Sequence, residues 1–249
     1  GITDSPTNEV TKDYFRKSVR ALCNTYPLLA GGGLTTGENM GGISNASQEQ
    51  WVWDTYGLGV SDAMADAQNP ASPCYAPGRV IRLVHRAHQA NLKEIINYFQ
   101  PLPGSTNADS TLAFSFKYSQ AHMYSSTKPQ IINQGGWFNS IPAGKKTWLT
   151  VRNDDMFYLR WGDPDFARSY LTNLPDVSKL SGFYMGPDGY CWGREFLSKE
   201  PDSPRQQVID KMWYSFLLWG RLSYDPTLPN SQFQAILGAY FPEMAGANL

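Results

Sequence analysis

The chain has 249 residues, a formal net charge of −1 and a pI near 6.3. This balance shows no excess of basic residues, which argues against a nucleic-acid partner or another polyanion. Charged residues make up 17% of the sequence and aromatic residues 14%, with 8 Trp and 14 Tyr. Aromatic side chains beyond the needs of a core often line a binding surface. An aromatic-rich core explains the composition equally well, so the positions of these residues must decide between the two.

The cysteines and the hydrophobic pattern set further limits. Cys23, Cys74 and Cys191 lack the C-x-x-C spacing of zinc and redox sites, and they leave open either one disulfide with a free thiol or three reduced thiols. No run of 18 apolar residues and no signal peptide occurs, so we expect no membrane association. No metal-binding or phosphate-binding motif occurs either, and neither a metal nor a cofactor is predicted.

Predicted helices and strands alternate along the first half of the chain. Apolar residues at helical spacing predict a helix over 13–26, and residues 28–38 predict a short glycine-rich strand that ends at Glu38. Residues 40–78 are rich in Gly and Pro and are predicted to form a long aromatic loop. Residues 78–99 show the clearest helical pattern, which makes His85 and His88 packing or surface residues of that helix.

The alternation continues in the second half. Strands are predicted over 112–118, 147–152 and 182–185, and a weak helix over 129–138. Asp163-Pro164 has the pattern of an N-cap followed by Pro at the first helical position, which predicts a helix over 165–174. Two further helices are predicted over 206–222 and 231–240.

This order of elements predicts an α/β fold with a parallel sheet and helical crossovers. The length fits one (β/α)8 (TIM) barrel, but only about four strands are evident where a barrel needs eight. We therefore expect one catalytic domain over 1–249 that is a barrel or the C-terminal portion of one. The start at Gly1 favours a fragment whose first strands lie upstream, in which case the remainder of its own longer chain is a partner.

Polar residues follow each of the four predicted strands. Glu38 ends the first strand, and the last one leads through a Gly-Pro-Asp-Gly turn into a segment with aromatic and charged side chains. Parallel barrels build their active sites from the C-terminal ends of their strands. Four strand ends with such residues therefore indicate an active site.

Carboxylates flanked by aromatic residues are typical of glycoside hydrolysis. One acid protonates the leaving oxygen, and a second carboxylate activates water or attacks the sugar. Glu38 is the predicted general acid, with Asp188 and Glu195 as candidates for base or nucleophile. Each has a structural alternative, because Glu38 and Glu195 could pair with Arg and Asp188 is a common turn residue. The side chains expected to bind sugar are Lys117, His122, Arg152, Asp154, Arg160, Trp161, Tyr184, Tyr190 and Trp192.

Two segments carry a resemblance to a known family. The segment Trp219-Gly-Arg-Leu-Ser-Tyr-Asp-Pro226 resembles the G-R-L-[AS]-[WY]-[DN]-P segment of family 67 α-glucuronidases, and residues 28–40 resemble the strand-to-acid segment of related uncharacterised glycan-degrading proteins. The resemblance implies a (β/α)8 barrel, cleavage with inversion and Glu38 as general acid. It also implies base carboxylates on different strands, whereas Asp188 and Glu195 follow the same strand here. Lys117, Arg152 and Arg160 would then receive a sugar carboxylate.

These observations together predict a secreted or periplasmic glycoside hydrolase, resembling α-glucuronidases, that acts on plant or algal polysaccharide fragments. A non-catalytic carbohydrate-binding protein on a barrel scaffold would show the same aromatic residues without a close carboxylate pair. A structural fragment with no activity of its own is the third alternative.

Overall fold

Five strands form one parallel sheet in which the spatial order follows the chain order. The computed structural model describes residues 1–37, 40–87, 90–105, 111–117, 127, 138–151, 162–173, 176–185 and 213–244. The strands are β1 (Gly31–Thr35), β2 (Arg82–Arg86), β3 (Leu112–Lys117), β4 (Thr147–Val151) and β5 (Leu180–Met185). The α/β class and the parallel sheet are therefore as predicted from the sequence.

The first three strands present one buried face and one open face. Their parallel register places Leu34 of β1 beside His85 of β2, and His85 beside Phe114 of β3. All three side chains are buried, whereas Arg82 and Val84, on the alternate positions of β2, are more exposed. This alternation follows from the period of two along a strand.

Four helices and a π-helical turn belong to the same part of the chain as β1–β3. They are α1 (Glu9–Thr25), α2 (Asn45–Val52), a π turn (Trp53–Gly57), α3 (Leu58–Gln68) and α4 (Leu92–Phe99). Side chains of Asn8, Ser44 and Asn91 accept hydrogen bonds from backbone N–H groups at the starts of α1, α2 and α4. The aromatic ring of Phe99 in α4 contacts His85 at 5.2 Å between ring centroids, which brings α4 against the buried face of the sheet.

Two predictions for this part of the chain are wrong. The expected loop over 40–78 contains the helical segment 45–68, which begins at the N-cap Ser44. The expected helix over 78–99 is instead β2 followed by α4, with a break before the cap Asn91. The apolar residues of 80–87 fit a helical stripe, but Ile81, Leu83, His85 and Ala87 also alternate along a strand, and these are the buried ones.

Contacts divide the chain into two compact units. The first contains residues 1–117, 133–149 and 178–181, and the second contains residues 118–132, 150–177 and 182–249. The described α-helices of the second unit are α5 (Pro164–Thr172), α6 (Trp213–Tyr224) and α7 (Asn230–Tyr240), and a short 3-10 helix, Pro242–Met244, follows α7. Asp163 caps α5 with Pro164 at its start, as predicted. In the core of this unit, Trp219 of α6 contacts Tyr170 of α5 and Phe183 of β5.

Candidate functional site

Most of the residues predicted to act in catalysis or binding lie outside the described residues. These are Glu38, His122, Arg152, Asp154, Arg160, Trp161, Asp188, Tyr190, Trp192 and Glu195, and His88 lies outside them too. Lys117 is the last residue of β3, and Tyr184 lies in β5 with 39% of its surface exposed. The roles of these residues therefore stay predictions.

A buried polar cluster lies at the carboxyl ends of β1 and β2. It contains Thr36, Glu49 and His85, none of which is more than 1% exposed. The hydroxyl of Thr36 donates to Glu49 Oε1 at 2.6 Å, and His85 Nε2 lies 2.9 Å from Glu49 Oε2. Both carboxyl oxygens of Glu49 therefore have a partner, as a buried carboxyl group requires.

Three elements bring this cluster together. Thr36 directly follows β1, and His85 is the fourth residue of β2, on the buried face of the sheet. Glu49 lies in α2, which buries Gln48, Glu49 and Val52. The cluster therefore joins one helix to the ends of two neighbouring strands.

His85 Nε2 and Glu49 Oε2 share one hydrogen bond, and the tautomer of the imidazole decides which of the two atoms is the donor. His85 Nδ1 is buried and has no hydrogen-bond partner among the described residues. An unpartnered buried polar atom costs roughly 1–3 kcal/mol, and departures of this kind concentrate at functional sites.

The residue beside Glu49 holds the chain that follows β1. Gln48 Nε2 donates to the carbonyl oxygen of Met40 at 2.9 Å and to that of Ile43 at 3.3 Å. The N–H of Met40 donates to the carbonyl of Gly37 at 3.4 Å. Gly37 has φ of 93°, a left-handed conformation that favours glycine.

The cluster has a supporting role by its geometry, because the side chains of Glu49 and His85 are fully buried. The sequence alone did not reveal it. The alternation along Arg82-Leu-Val-His-Arg86 indicates a strand whose His85 faces the protein core, but the apolar spacing over 78–99 favoured a helix. Nothing local marked Glu49, whose partners are 13 and 36 residues away in the chain.

The other face of the sheet borders a cavity of about 610 Å³. Its lining includes Gly31, Gly33, Val84, Ala113 and Trp148. A Cβ on Gly31 would lie 2.0 Å from the carbonyl oxygen of Arg82, so glycine is required there for the β1–β2 pairing. The small side chains thus leave the cavity open, with the indole of Trp148 at its border.

The segment 219–226, on which the sequence-based family prediction rests, lies in the second unit, and contacts with α5 hold its end. Arg168 of α5 donates to the carbonyl oxygens of Pro226 and Leu228, at 2.8 and 2.7 Å. Asp225 accepts hydrogen bonds from the backbone N–H and the hydroxyl of Thr227, which lower the pKa of the Asp225 carboxyl group. These contacts fix the turn between α6 and α7.

A cavity of about 470 Å³ lies beside the start of α5 in this unit. Asp163, Asp165, Tyr214 and Asn230 are among its lining residues. Burial, followed by the nearby Asp163, raises the pKa of the Tyr214 hydroxyl. Asp165 pairs with Arg168 at 2.6 Å and accepts a hydrogen bond from the Asn230 amide at 3.0 Å, so its carboxylate already has two partners that stabilise the fold.

Comparisons with protein-family models, curated proteins and solved structures found no match to this chain. Among the described residues, no group of three or more His, Cys, Asp or Glu side chains could hold a metal ion. No described helix has the length and apolar character needed to cross a membrane.

Proposed function

We propose that the protein is a glycoside hydrolase whose catalytic domain is a (β/α)8 barrel or part of one. The observation that carries the proposal is the strand order, because five parallel strands adjacent in chain order are the arrangement of such a barrel. Glu38 follows the end of β1 by three residues in the chain, which is where barrel enzymes place catalytic groups.

The two faces of the sheet also support the proposal. Helices α2 and α4 contact one face through Glu49 and Phe99. The opposite face, with Gly33, Val84 and Ala113, borders the open cavity. In a barrel the helices form an outer ring and the opposite face points inward.

In the proposed reaction, water hydrolyses one glycosidic bond. Glu38 gives a proton to the leaving oxygen as the bond from that oxygen to the anomeric carbon breaks. Asp188 or Glu195 takes a proton from the water whose oxygen forms the new bond to the anomeric carbon, with inversion. The proton lost by water and the proton given by Glu38 balance, and a proton exchange with solvent restores both carboxyl groups.

The substrates we propose are fragments of plant or algal polysaccharides, encountered outside the cytoplasm. Arg152, Arg160 and Lys117 would bind a carboxylate on the sugar if the substrate is a uronic acid, as in α-glucuronidases. A carboxyl separation of about 6.5–9.5 Å between acid and base would agree with inversion, and one of about 5–5.5 Å would indicate retention.

The test is turnover of a panel of aryl glycosides and oligosaccharides by the wild type and by Glu38→Gln. The variant should lose most of its activity on substrates with poor leaving groups, because it lacks the proton that Glu38 donates. Glu243→Gln is the matched control, since Glu243 is an exposed glutamate in the short helix Pro242–Met244. Sugar binding without turnover in the wild type would reject the enzyme and favour a carbohydrate-binding protein.

A further inference from the structure

We propose that the cavity on the open face of the sheet binds a small ring-shaped ligand that carries an anionic group. The cavity measures about 610 Å³, which is within the range of roughly 300–1,000 Å³ that small-molecule sites have. All of its described lining residues belong to the first unit. The inference concerns binding alone, so it does not depend on the proposed hydrolysis.

The cavity lies beside the amino-terminal halves of the first three strands. Gly33 lines it from β1, Arg82 and Val84 line it from β2, and Ala113 lines it from β3. These residues occupy the first three positions of their strands. Glu38, in contrast, follows the carboxyl end of β1 in the chain. The strand positions that line the cavity are therefore not those that precede the predicted catalytic residues.

The glycine at position 33 leaves open a space that the packing of the strands does not require. Gly31 must be glycine, since a Cβ there would lie 2.0 Å from the Arg82 carbonyl oxygen. At Gly33, a Cβ would have the Val84 carbonyl oxygen as its nearest neighbour at 4.0 Å, so a side chain fits there. Glycine weakens the interior of a strand, and it often marks the close approach of a ligand to the backbone. Packing thus explains Gly31, whereas an occupant of the cavity explains Gly33.

The cavity also presents positive charge. Arg82 and Lys146 line it, and none of the described lining residues is acidic. The guanidinium of Arg82 has no hydrogen bond or ion pair with another described residue, whereas Arg16 and Arg20 each pair with an aspartate. Lys146 Nζ donates to the carbonyl oxygen of Ser178, which uses one of its three donors. The cavity therefore favours an anionic ligand, and carboxylate or phosphate oxygens match the parallel donors of a guanidinium.

The indole of Trp148 supplies a surface for a ring. Trp148 is partly exposed and borders the cavity from β4. Small-molecule sites combine apolar and aromatic walls with a few polar groups that fix the orientation of the ligand. Here Val84, Ala113 and Trp148 form the walls, and the two cations are the polar groups. The ligand class that fits is a sugar or aromatic ring bearing a carboxylate or a phosphate, with one face on the indole.

Calorimetric titration of the full chain with three anionic probes tests the proposal. Glucuronate, glucose 6-phosphate and benzoate distinguish a carboxylated sugar, a sugar phosphate and an aromatic acid. Glucose and benzamide offer the corresponding rings without the charge. At least one anionic probe should bind about 10-fold or more tightly than its uncharged counterpart, because a hydrogen-bonded charge contributes that much. If none of the three binds, or if the uncharged counterpart binds equally well, the proposal is overturned.

Two variants and a matched control locate the binding. Arg82→Gln removes the guanidinium and should weaken binding of the probe about 10–100-fold. Gly33→Val places a side chain in the cavity and should abolish binding without lowering the free energy of unfolding, because valine favours a strand. Arg221→Gln should bind like the wild type, since Arg221 is an exposed arginine of α6 in the second unit. Wild-type affinity in both Arg82→Gln and Gly33→Val overturns the assignment.

Binding and turnover can fail separately. If the wild type binds a probe but hydrolyses no glycoside, the proposed function fails and the assignment of the cavity stands. If it hydrolyses glycosides but binds none of the three probes, the assignment fails and the proposed function stands. If Gly33→Val does not fold, the comparison of Arg82→Gln with Arg221→Gln decides the question.

Discussion

Two sets of carboxylates in the first unit join helices to their neighbours, and they differ in burial. In the buried cluster, Glu49 and His85 are both 0% exposed. In the second set, which we call the ion-pair row, cations of α1 pair with acids of the following helical segment. Its members are Lys12–Asp54, Arg16–Asp62 and Arg20–Asp66, whose side chains are between 16% and 46% exposed.

This difference decides what each contact contributes. An ion pair that water reaches, as these partly exposed pairs are, contributes roughly 0–1 kcal/mol because water and salt screen it. A buried pair costs more when it is broken, because the remaining group stays buried without a partner. The number of ion pairs in the row therefore says little about stability, whereas the buried pair of Glu49 and His85 should dominate the response to mutation.

The largest effect should come from breaking the buried pair. Glu49→Leu leaves His85 Nε2 and the Thr36 hydroxyl buried without an acceptor, and we expect it to lower the free energy of unfolding by about 3–5 kcal/mol. Urea unfolding followed by circular dichroism measures the change. His85→Leu should have an effect of similar size.

The double variant Glu49→Leu/His85→Leu is the control for this prediction. Two apolar residues in place of a buried pair are often neutral, so the double variant should be more stable than the sum of the two single changes predicts. Simple additivity would mean that Glu49 and His85 do not interact, and it would remove the contrast with the ion-pair row.

Much of the fold was predictable because local patterns agree with it. The helix cap at Asp163-Pro164 was predicted from its local sequence alone. The strands that begin near 31, 112, 147 and 180 were predicted because their apolar runs and flanking turn residues agree with one structure. The prediction of one helix over 78–99 was wrong because the apolar residues of a strand followed by a helix can match the spacing of one long helical stripe. The helical segment 45–68 was not predicted because two of its buried residues, at 48 and 49, are polar, so no apolar stripe marks the buried side of its first helix.

The buried cluster was not predictable from the sequence. Its hydrogen bonds join residues separated by 13 and 36 positions, and no local period connects them. A glutamate in a helix is ordinarily exposed, and only the tertiary structure shows that Glu49 faces inward. Glu38, in contrast, was singled out by its place after a strand, which is information that the chain order contains.

Close packing of α1 against α3 gives the next largest prediction. A Cβ on Gly59 would lie 2.7 Å from the carbonyl oxygen of Arg16 and 2.7 Å from Val19 Cβ. Gly59→Ala should therefore lower the free energy of unfolding by about 1–3 kcal/mol, by forcing the two helices apart. Gly220→Ala is the control, because no atom lies within 4 Å of a Cβ at that position of α6. This change should raise the free energy of unfolding by about 0.5–1 kcal/mol, because alanine favours a helix more than glycine does. If urea unfolding gives the same change for Gly59→Ala and Gly220→Ala, the close packing of α1 against α3 contributes as little to stability as the ion-pair row.

The smallest effect should come from the ion-pair row itself. Arg20 donates to both carboxyl oxygens of Asp66, and these bonds lower the pKa of that carboxyl group below its ordinary value. The stabilisation is therefore fully present above the unfolded pKa of about 3.9, and it is lost as the pH falls through the lower pKa of the folded state. Asp66→Asn should cost less than about 1 kcal/mol at neutral pH.

Urea unfolding of the wild type and Asp66→Asn from neutral to acidic pH measures this difference. It should be constant at neutral pH, shrink as the pH falls below about 4 and decrease in high salt, because the pair is partly exposed. Asp13→Asn is the comparison, since Asp13 pairs with Lys17 on the same helix and both side chains are more than half exposed. Its cost should be about 0.3–0.5 kcal/mol. If Asp66→Asn costs as much as Glu49→Leu, burial is not what separates the two sets of carboxylates.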